Sequence, residues 1–297
     1  MHPVLIDFGK VKLYGFGVSV VIGVFAAISI ATWLGRKRGI HPDRISGLGF
    51  VTVVAGLLGA RLFYFIQFHD QFAGKSLWRF FAIWEGGIVY YGGLLTGIVF
   101  GLLYAWRHRL ALLPLMDAVA PALAVGLAFG RIGCLLNGCC FGATCPPNAF
   151  YGIQFPKEMG TDVLRHTPVF DDQVAHAGLA RDAALTYPVY PTQILASLDA
   201  FLLFGLLLWL SRRPRPAGEL FFLWMAVYSV QRFLEEALRA DNAPVLFGMT
   251  ISQAIGVPIF AVGVIGLLVL RGRPDWTPPP WEAPAESSPK DAPASSD

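Results

Sequence analysis

Apolar stretches of about 20 residues recur along the chain, and this pattern restricts the fold more than any other feature of the sequence. A helix of roughly that length crosses the hydrocarbon core of a bilayer. In lipid the backbone must satisfy its own hydrogen bonds, so continuous apolar runs predict membrane-spanning helices. The predicted spans are residues 14–34, 45–66, 87–106, 116–136, 192–210, 219–238 and 249–270.

The composition excludes a soluble globule. Of the 297 residues, 55% are hydrophobic and only 14% are charged, whereas about 25% of the residues of a soluble domain are charged. The net charge of +3 is spread along the chain and gives no argument for nucleic-acid binding. The predicted fold is therefore all-α, a polytopic transmembrane bundle of about seven helices.

The distribution of Lys and Arg between the spans predicts the orientation, because positive loops stay in the cytoplasm. Twelve such residues lie on one side, including the run at 36–38, and eight lie on the other. This count places the amino terminus outside and the carboxyl terminus in the cytoplasm. We expect a transmembrane domain over residues 1–273, an irregular outer head with one hairpin at 137–191, and a disordered tail at 274–297 that is rich in Pro, Ala and Ser.

Glycines at 93, 97 and 101 share one face of the third predicted helix. Small residues with this spacing let a neighbouring helix approach closely. We interpret this face as a helix-packing surface.

Three arginines, Arg61, Arg131 and Arg232, fall inside or at the edge of apolar runs. An arginine at the bilayer centre costs about 2.5 to 3.5 kcal/mol on insertion scales unless it finds a partner or a polar cavity. Converging guanidinium groups bind phosphate well, so we interpret Arg131 and Arg232 as a phospholipid headgroup site. Snorkelling or a simple ion pair is the alternative for Arg131. For Arg61, a contribution to the headgroup site and a purely structural role are equally open.

The sixth predicted helix carries a polar stripe, because Tyr228, Arg232, Glu236 and Arg239 are spaced to share one helical face. This stripe must face the protein interior or a headgroup-level cavity. We expect Glu236 to orient one or both arginines, and Glu235 to substitute for it in part. An ion-pair network that only holds helices together is the alternative.

All four cysteines fall within twelve residues, at 134, 139, 140 and 145. The sequence leaves several interpretations open. One is a disulfide from Cys139 or Cys140 to Cys145. A redox pair beside a quinone and simple packing of small side chains are others. The C-x-x-C spacing typical of zinc sites is missing, so we expect no metal.

Motifs distributed over the chain together resemble the prolipoprotein diacylglyceryl transferase family. They are LYGFG, EGGIVYYGGLLTG, GRIGCLLNGCCFG, YPTQ and YSVQRFLEEALR, in that order between residues 13 and 239. The resemblance implies a bacterial inner-membrane enzyme that moves the diacylglyceryl group of phosphatidylglycerol to the lipobox cysteine of a preprolipoprotein. It implies no cofactor, because the phosphodiester is already an activated leaving group.

The resemblance also implies roles for individual residues. The implied catalytic residues are Arg232, Glu236, Tyr91 and Tyr14, and the implied substrate-binding residues are Arg131, Arg239, Asn137 and Gly142.

The chain departs from the family pattern at several positions. Tyr91 stands where the family has histidine, and Cys134 and Cys139 replace an asparagine and a glutamate. Leu195 and Ala196 replace a tyrosine and a glutamate after the YPTQ motif. If histidine is the usual general base, this chain uses another base, such as Tyr91 or Glu236, or is a paralogue with another substrate. A lipid-binding or transport protein without activity and a thiol redox protein are the alternatives to the transferase.

Overall fold

The computed structural model of the chain describes residues 4–7, 12–72, 80, 87–159, 162–239, 245 and 247–278. Within this part of the chain, the helices are α1 (Gly15–Lys37), α2 (Pro42–Gln67), α3 (Tyr90–Arg107), α4 (Leu112–Asn137), α5 (Pro168–His176), α6 (Thr192–Leu210), α7 (Glu219–Ala237) and α8 (Ile251–Leu270). The same part of the chain contains two short antiparallel strand pairs, β1 (Val4–Asp7) with β2 (Lys12–Tyr14) and β3 (Glu158–Met159) with β4 (Asp162–His166). It also contains a 3-10 turn at His69–Phe72.

The seven long helices coincide with the seven predicted spans to within a few residues. Among the described residues, α1, α2, α4, α6 and α8 are long and apolar enough to cross a membrane by length and composition. Large apolar side chains such as Phe25, Phe50 and Trp106 are exposed on the outside of the bundle, as expected where lipid is the solvent. The predicted class, an all-α polytopic membrane protein, is confirmed.

Helix α4 lies at the centre of the bundle and packs against α1, α6 and α7. Ala118, Ala120, Ala124 and Ala128 on α4 are completely buried. Small side chains let neighbouring helices come close, which compensates for the weak hydrophobic drive inside a bilayer. The central helix therefore positions the elements that surround it.

Helices α2 and α3 form a second close pair. A Cβ atom on Gly93 would lie 2.9 Å from the Gly56 carbonyl oxygen, and one on Gly101 would lie 3.0 Å from Thr52 Oγ1. The predicted packing role of this glycine face is confirmed.

A buried carboxylate joins three helices at one end of the bundle. Asp117, on α4, is 2.8 Å from Arg38 Nη1, at the end of α1. It also accepts hydrogen bonds from the backbone N–H groups of Gly218 and Phe221, at 2.8 and 3.0 Å. Because Gly218 has no side chain to cap α7, Asp117 supplies the cap from another helix.

The segment between α4 and α6 folds as a small unit with its own core, which includes Phe141, Phe155, Val169 and Val189. It contains the β3–β4 pair and helix α5. The predicted hairpin is therefore present.

The first residues of the expected disordered tail are attached to the bundle. The backbone N–H of Trp276 donates to the carbonyl of Arg215 at 2.9 Å. Disorder of the tail at 274–297 stays a prediction. Residues 279–297 lie outside the described part of the chain.

Candidate active site at the ends of helices 4 and 7

The polar stripe of α7 forms a buried ion-pair cluster. Glu236 Oε2 lies 2.6 Å from Arg232 Nη2 and 3.9 Å from Arg239 Nε, and the Glu236 side chain is fully buried. These contacts support the prediction that Glu236 orients one or both arginines. Tyr228, one turn before Arg232, stacks on Trp224 with ring centroids 5.2 Å apart.

Arg131 reaches the same cluster from α4. Glu235 Oε2 lies 3.6 Å from Arg131 Nη2 and 3.5 Å from Arg232 Nη1. All three side chains are mostly buried, with 12 to 17% of their surface exposed. The two arginines that we expected to share a site therefore converge on one carboxylate oxygen. Glu235 bridges α4 and α7 and does not act only as a substitute for Glu236.

Helix α8 adds a residue that our reading of the sequence missed. Arg232 Nη2 donates to Ser252 Oγ at 3.1 Å. A capping box at Thr250 and Gln253 fixes the first turn of α8 and with it the position of Ser252. The T-I-S-Q sequence before an apolar run is a helix-start signal, so this turn could have been found in advance.

The loop after α4 brings three cysteine side chains together. Gly138 ends the helix in the left-handed conformation, with φ 69°, and Cys140 also has a positive φ of 59°. The Sγ atoms of Cys134, Cys139 and Cys140 all lie within 4.8 Å of one another.

Helix α6 holds this loop in place. Thr192 Oγ1 donates to the Cys140 carbonyl at 2.9 Å, and Gln193 Nε2 donates to the Cys139 carbonyl at 3.0 Å. Both donors belong to the YPTQ motif, at the start of α6. The motif therefore fixes the conformation of the cysteine loop.

All four cysteines are free thiols in the structure. Cys145 is buried against Gly152, apart from the group of three. The disulfide from Cys139 or Cys140 to Cys145, one of the interpretations left open by the sequence, is not formed. The pKa of the Cys140 thiol lies below its ordinary value because the Cys134 and Cys139 thiols hydrogen-bond to its sulfur and because the Arg239 and Arg131 guanidiniums lie near it.

Two other expected substrate-binding residues belong to this loop. Asn137 is the last residue of α4, and its side chain lies near the Cys139 thiol. Gly142 forms a β-bridge with Arg239, and a Cβ there would lie 2.6 Å from Tyr190 Cβ and 2.7 Å from the Tyr190 carbonyl oxygen. Only glycine fits at this crossing, so the contacts of Gly142 position Arg239 beside the loop.

Tyr14 lies at the same end of the bundle as Arg131. It is half-buried and precedes the first turn of α1. In that turn Phe16 packs against Gly133, at 3.1 Å from the position of a Cβ atom there. This contact places the start of α1 beside the last turns of α4, where Arg131 is found.

Tyr91 is less closely tied to the cluster than its neighbour Tyr90. Both side chains are exposed, Tyr91 to 45% and Tyr90 to 67%, and their rings meet edge-on, with centroids 5.5 Å apart. The difference between the two is therefore electrostatic. The Tyr90 hydroxyl is within electrostatic range of Arg131 and Arg232. Tyr90 was not a candidate in the sequence analysis, although it directly precedes the position at which the family has histidine.

Arg61 lies outside this cluster in its described contacts. It is 2% exposed and donates to the carbonyls of Phe80, at 3.0 Å, and Gly87, at 2.8 Å. These bonds hold the backbone at Phe80 and Gly87. They favour the structural interpretation of Arg61 over a contact with a headgroup.

Comparison with known proteins identifies the family. The family model described as "Prolipoprotein diacylglyceryl transferase" matches residues 3–269. Three similar relatives are named phosphatidylglycerol–prolipoprotein diacylglyceryl transferase, the first with the suffix 2. The relative from Clostridium perfringens is 31% identical over 92% of this chain and 98% of its own length. The relative from Thermosynechococcus vestitus is 32% identical over 92% of this chain and 96% of its own length. The relative from Neisseria gonorrhoeae is 30% identical over 90% of this chain and 94% of its own length. The chain belongs to the prolipoprotein diacylglyceryl transferase family.

Proposed function

We propose that the chain transfers the diacylglyceryl group of phosphatidylglycerol to the lipobox cysteine thiol of preprolipoproteins, the first step of lipoprotein maturation. Family membership over nearly the whole chain supports this transferase over a lipid-binding or redox protein. We place it in the bacterial inner membrane, as one transmembrane domain over residues 1–273. The amino terminus and the head at 137–191 face outward, and the carboxyl terminus faces the cytoplasm. The Lys and Arg count supports this orientation.

The observation that carries the proposal is the convergence of Arg131 and Arg232 on one carboxylate oxygen, with both side chains mostly buried. A guanidinium can donate two parallel hydrogen bonds to a phosphate. A pair of guanidiniums at bilayer depth, with Arg239 close by, suits the phosphodiester of a phospholipid headgroup. Glu235 and Glu236 keep these arginines in place before the lipid enters.

In the reaction, the substrate thiolate attacks the glycerol carbon bonded to phosphate. The carbon–oxygen bond breaks, its electron pair leaves with glycerol phosphate, and a thioether forms. Arg131, Arg232 and Arg239 stabilise the charge that develops on the departing phosphate. Asn137 and Gly142 support the binding site through the loop, while Tyr14 and Tyr91 are the remaining catalytic candidates.

The proton of the thiol needs an acceptor. Glu236 is fully buried and 2.6 Å from an Arg232 nitrogen, so its carboxylate is already engaged by a guanidinium. This geometry suits the orientation of the arginines better than proton transfer. Of the two candidates from the sequence, Tyr91 therefore remains, although a tyrosine, of pKa about 10, is a poor base unless its environment perturbs it.

The test is transfer of label from acyl-labelled phosphatidylglycerol to a lipobox peptide in membranes that contain the protein. We expect label on the cysteine peptide and none on a peptide with serine at that position. Arg131→Ala removes about two charge-assisted hydrogen bonds of about 1.5–3 kcal/mol each, so turnover should fall by about 100-fold or more.

The matched control is Arg213→Ala, which removes an exposed arginine stacked on Trp209, away from the cluster. It should retain normal transfer. Absence of label on the cysteine peptide with the unmodified protein would refute the proposed function. Normal turnover by Arg131→Ala would refute the headgroup assignment.

A further inference from the structure

The three clustered thiols have the spacing of a metal site. Zinc binds sulfur at about 2.3 Å in a tetrahedral arrangement, which places pairs of sulfur ligands about 3.8 Å apart. The Sγ atoms of Cys134, Cys139 and Cys140 lie within 4.8 Å of one another. A shift of a few tenths of an ångström in each side chain is enough to close this group around one ion.

The loop holds this arrangement before any ligand binds. Cys140 keeps a backbone conformation that is uncommon for a residue with a side chain, and such conformations cluster at functional sites. The hydrogen bonds from Thr192 and Gln193 hold the carbonyls of two of the cysteines.

Gln193 offers a second indication of a ligand. Its side chain is 1% exposed, and its Oε1 has no hydrogen-bond partner among the described residues. The same amide donates through Nε2 to the Cys139 carbonyl, so this acceptor lies beside the cysteine loop. A buried acceptor without a donor is costly, and a zinc-bound water or a substrate peptide N–H would satisfy it.

We propose that Cys134, Cys139 and Cys140 hold a zinc ion, and that the fourth position of this ion binds the lipobox cysteine as thiolate. The second part rests on the proposed function. Sulfur ligands favour soft or borderline ions such as zinc. Catalytic zinc sites have three protein ligands and one open position, which matches the number of clustered thiols. This proposal differs from our expectation, based on the missing C-x-x-C spacing, that the protein binds no metal.

The charges around the site fit this ion. Zinc with three thiolates carries a net charge of −1, and Arg131 and Arg239 are the cations that lie near Cys140. Cys134 follows Arg131 by three residues on α4, so the two share a helical face. The zinc-bound thiolate would therefore stand next to the arginine that we assign to the lipid phosphate.

The proposed step removes the need for a strong general base. Coordination to zinc deprotonates a thiol, and the released proton passes to water. The zinc-bound sulfur attacks the glycerol carbon, the carbon–oxygen bond breaks, and glycerol phosphate leaves with the electron pair. The neutral thioether is a weak ligand and dissociates. This route explains how a chain with tyrosine at position 91 activates its nucleophile.

The first test is the metal content of the full-length protein, purified in detergent without a histidine tag and measured by mass spectrometry. We expect close to one zinc ion per chain. Cys134→Ser, Cys139→Ser and Cys140→Ser should each lower the zinc content by about tenfold or more. Cys145→Ser is the matched control, because this thiol lies outside the group, and it should retain zinc. Unmodified protein without zinc, or with another metal in its place, would overturn the proposal.

The second test uses unmodified protein, so that it does not depend on the folding of variants. Cobalt in place of zinc should give a sulfur-to-metal charge-transfer band. Addition of a lipobox peptide should strengthen this band, and the serine peptide should leave it unchanged. An unchanged band with the cysteine peptide would overturn the open position. Transfer by a protein that binds no metal would refute the zinc site alone, whereas zinc binding without any transfer would refute the proposed function and leave the site standing.

Discussion

Substitution of Glu236 by glutamine tests whether burial increases the contribution of its ion pairs to the stability of the protein. Glutamine keeps the shape of the side chain and removes its charge. The carboxylate is fully buried, 2.6 Å from Arg232 Nη2, and removal of one partner of a buried ion pair costs about 3–5 kcal/mol. Because Arg232 also lies 3.5 Å from Glu235, we expect Glu236→Gln to lower the free energy of unfolding by an amount near the lower limit, about 3 kcal/mol.

Glu219→Gln is a matched control on the same helix. Glu219 lies 2.5 Å from Arg215 Nη1, as close as the Glu236 pair, but the two side chains are 25% and 19% exposed. Solvent-screened pairs contribute about 0.2–1 kcal/mol. The two variants therefore differ mainly in burial, and we expect the free energies of unfolding to differ by about 2 kcal/mol.

The assay is reversible unfolding in mixed micelles with increasing dodecyl sulfate, followed by tryptophan fluorescence. Equal losses for the two variants would refute the argument from burial. A loss below about 1 kcal/mol for Glu236→Gln would show that the surrounding groups solvate the arginines without this carboxylate.

Two further substitutions probe the fold around the site. Asp117→Ala removes a buried helix cap and ion-pair partner, so the same titration should show that the free energy of unfolding falls by about 3–5 kcal/mol. The exposed control, Asp43→Ala, should lower it by less than about 1 kcal/mol. A smaller loss for Asp117→Ala than for the control would contradict the capping role. Gly142→Ala places a Cβ 2.7 Å from the Tyr190 carbonyl oxygen, so the loop must move and transfer to the lipobox peptide should fall by about tenfold or more. Gly205→Ala, where no atom lies within 4 Å of the new Cβ, should leave transfer unchanged, and equal activity of both glycine variants would contradict the positioning role.

The spans could be predicted from sequence because the signal is local. A run of apolar residues as long as a bilayer is thick is a property of one segment, and all seven long helices follow these runs. The stripe on α7 was predictable for the same reason, since Arg232 and Glu236 are neighbours on any α-helix.

Contacts between helices were harder to predict, because they depend on how the helices are rotated against one another. The bridge from Arg131 to Glu235 joins α4 and α7, and no spacing within one helix indicates it. The cluster of thiols depends on the left-handed backbone at Gly138 and Cys140. Glycine favours that conformation, but a cysteine gives no such signal.

One missed residue did carry a signal. Asp117 interrupts the apolar sequence LPLMDAVAPALAV on α4, and an acid inside such a run is as costly as an arginine. The same energetic rule that singled out Arg131 would have marked Asp117 as a residue with a partner.

The carboxylate of Asp117 also determines where helices α4 and α7 can separate. It ties the two helices together at one end, and Arg131 and Glu235 meet roughly 20 Å further along, by the rise of about 1.5 Å per residue. Because α4 and α7 are joined at the Asp117 end, a small rotation about that contact would increase the distance between the two helices at Arg131 and Glu235. The Asp117 end would stay closed.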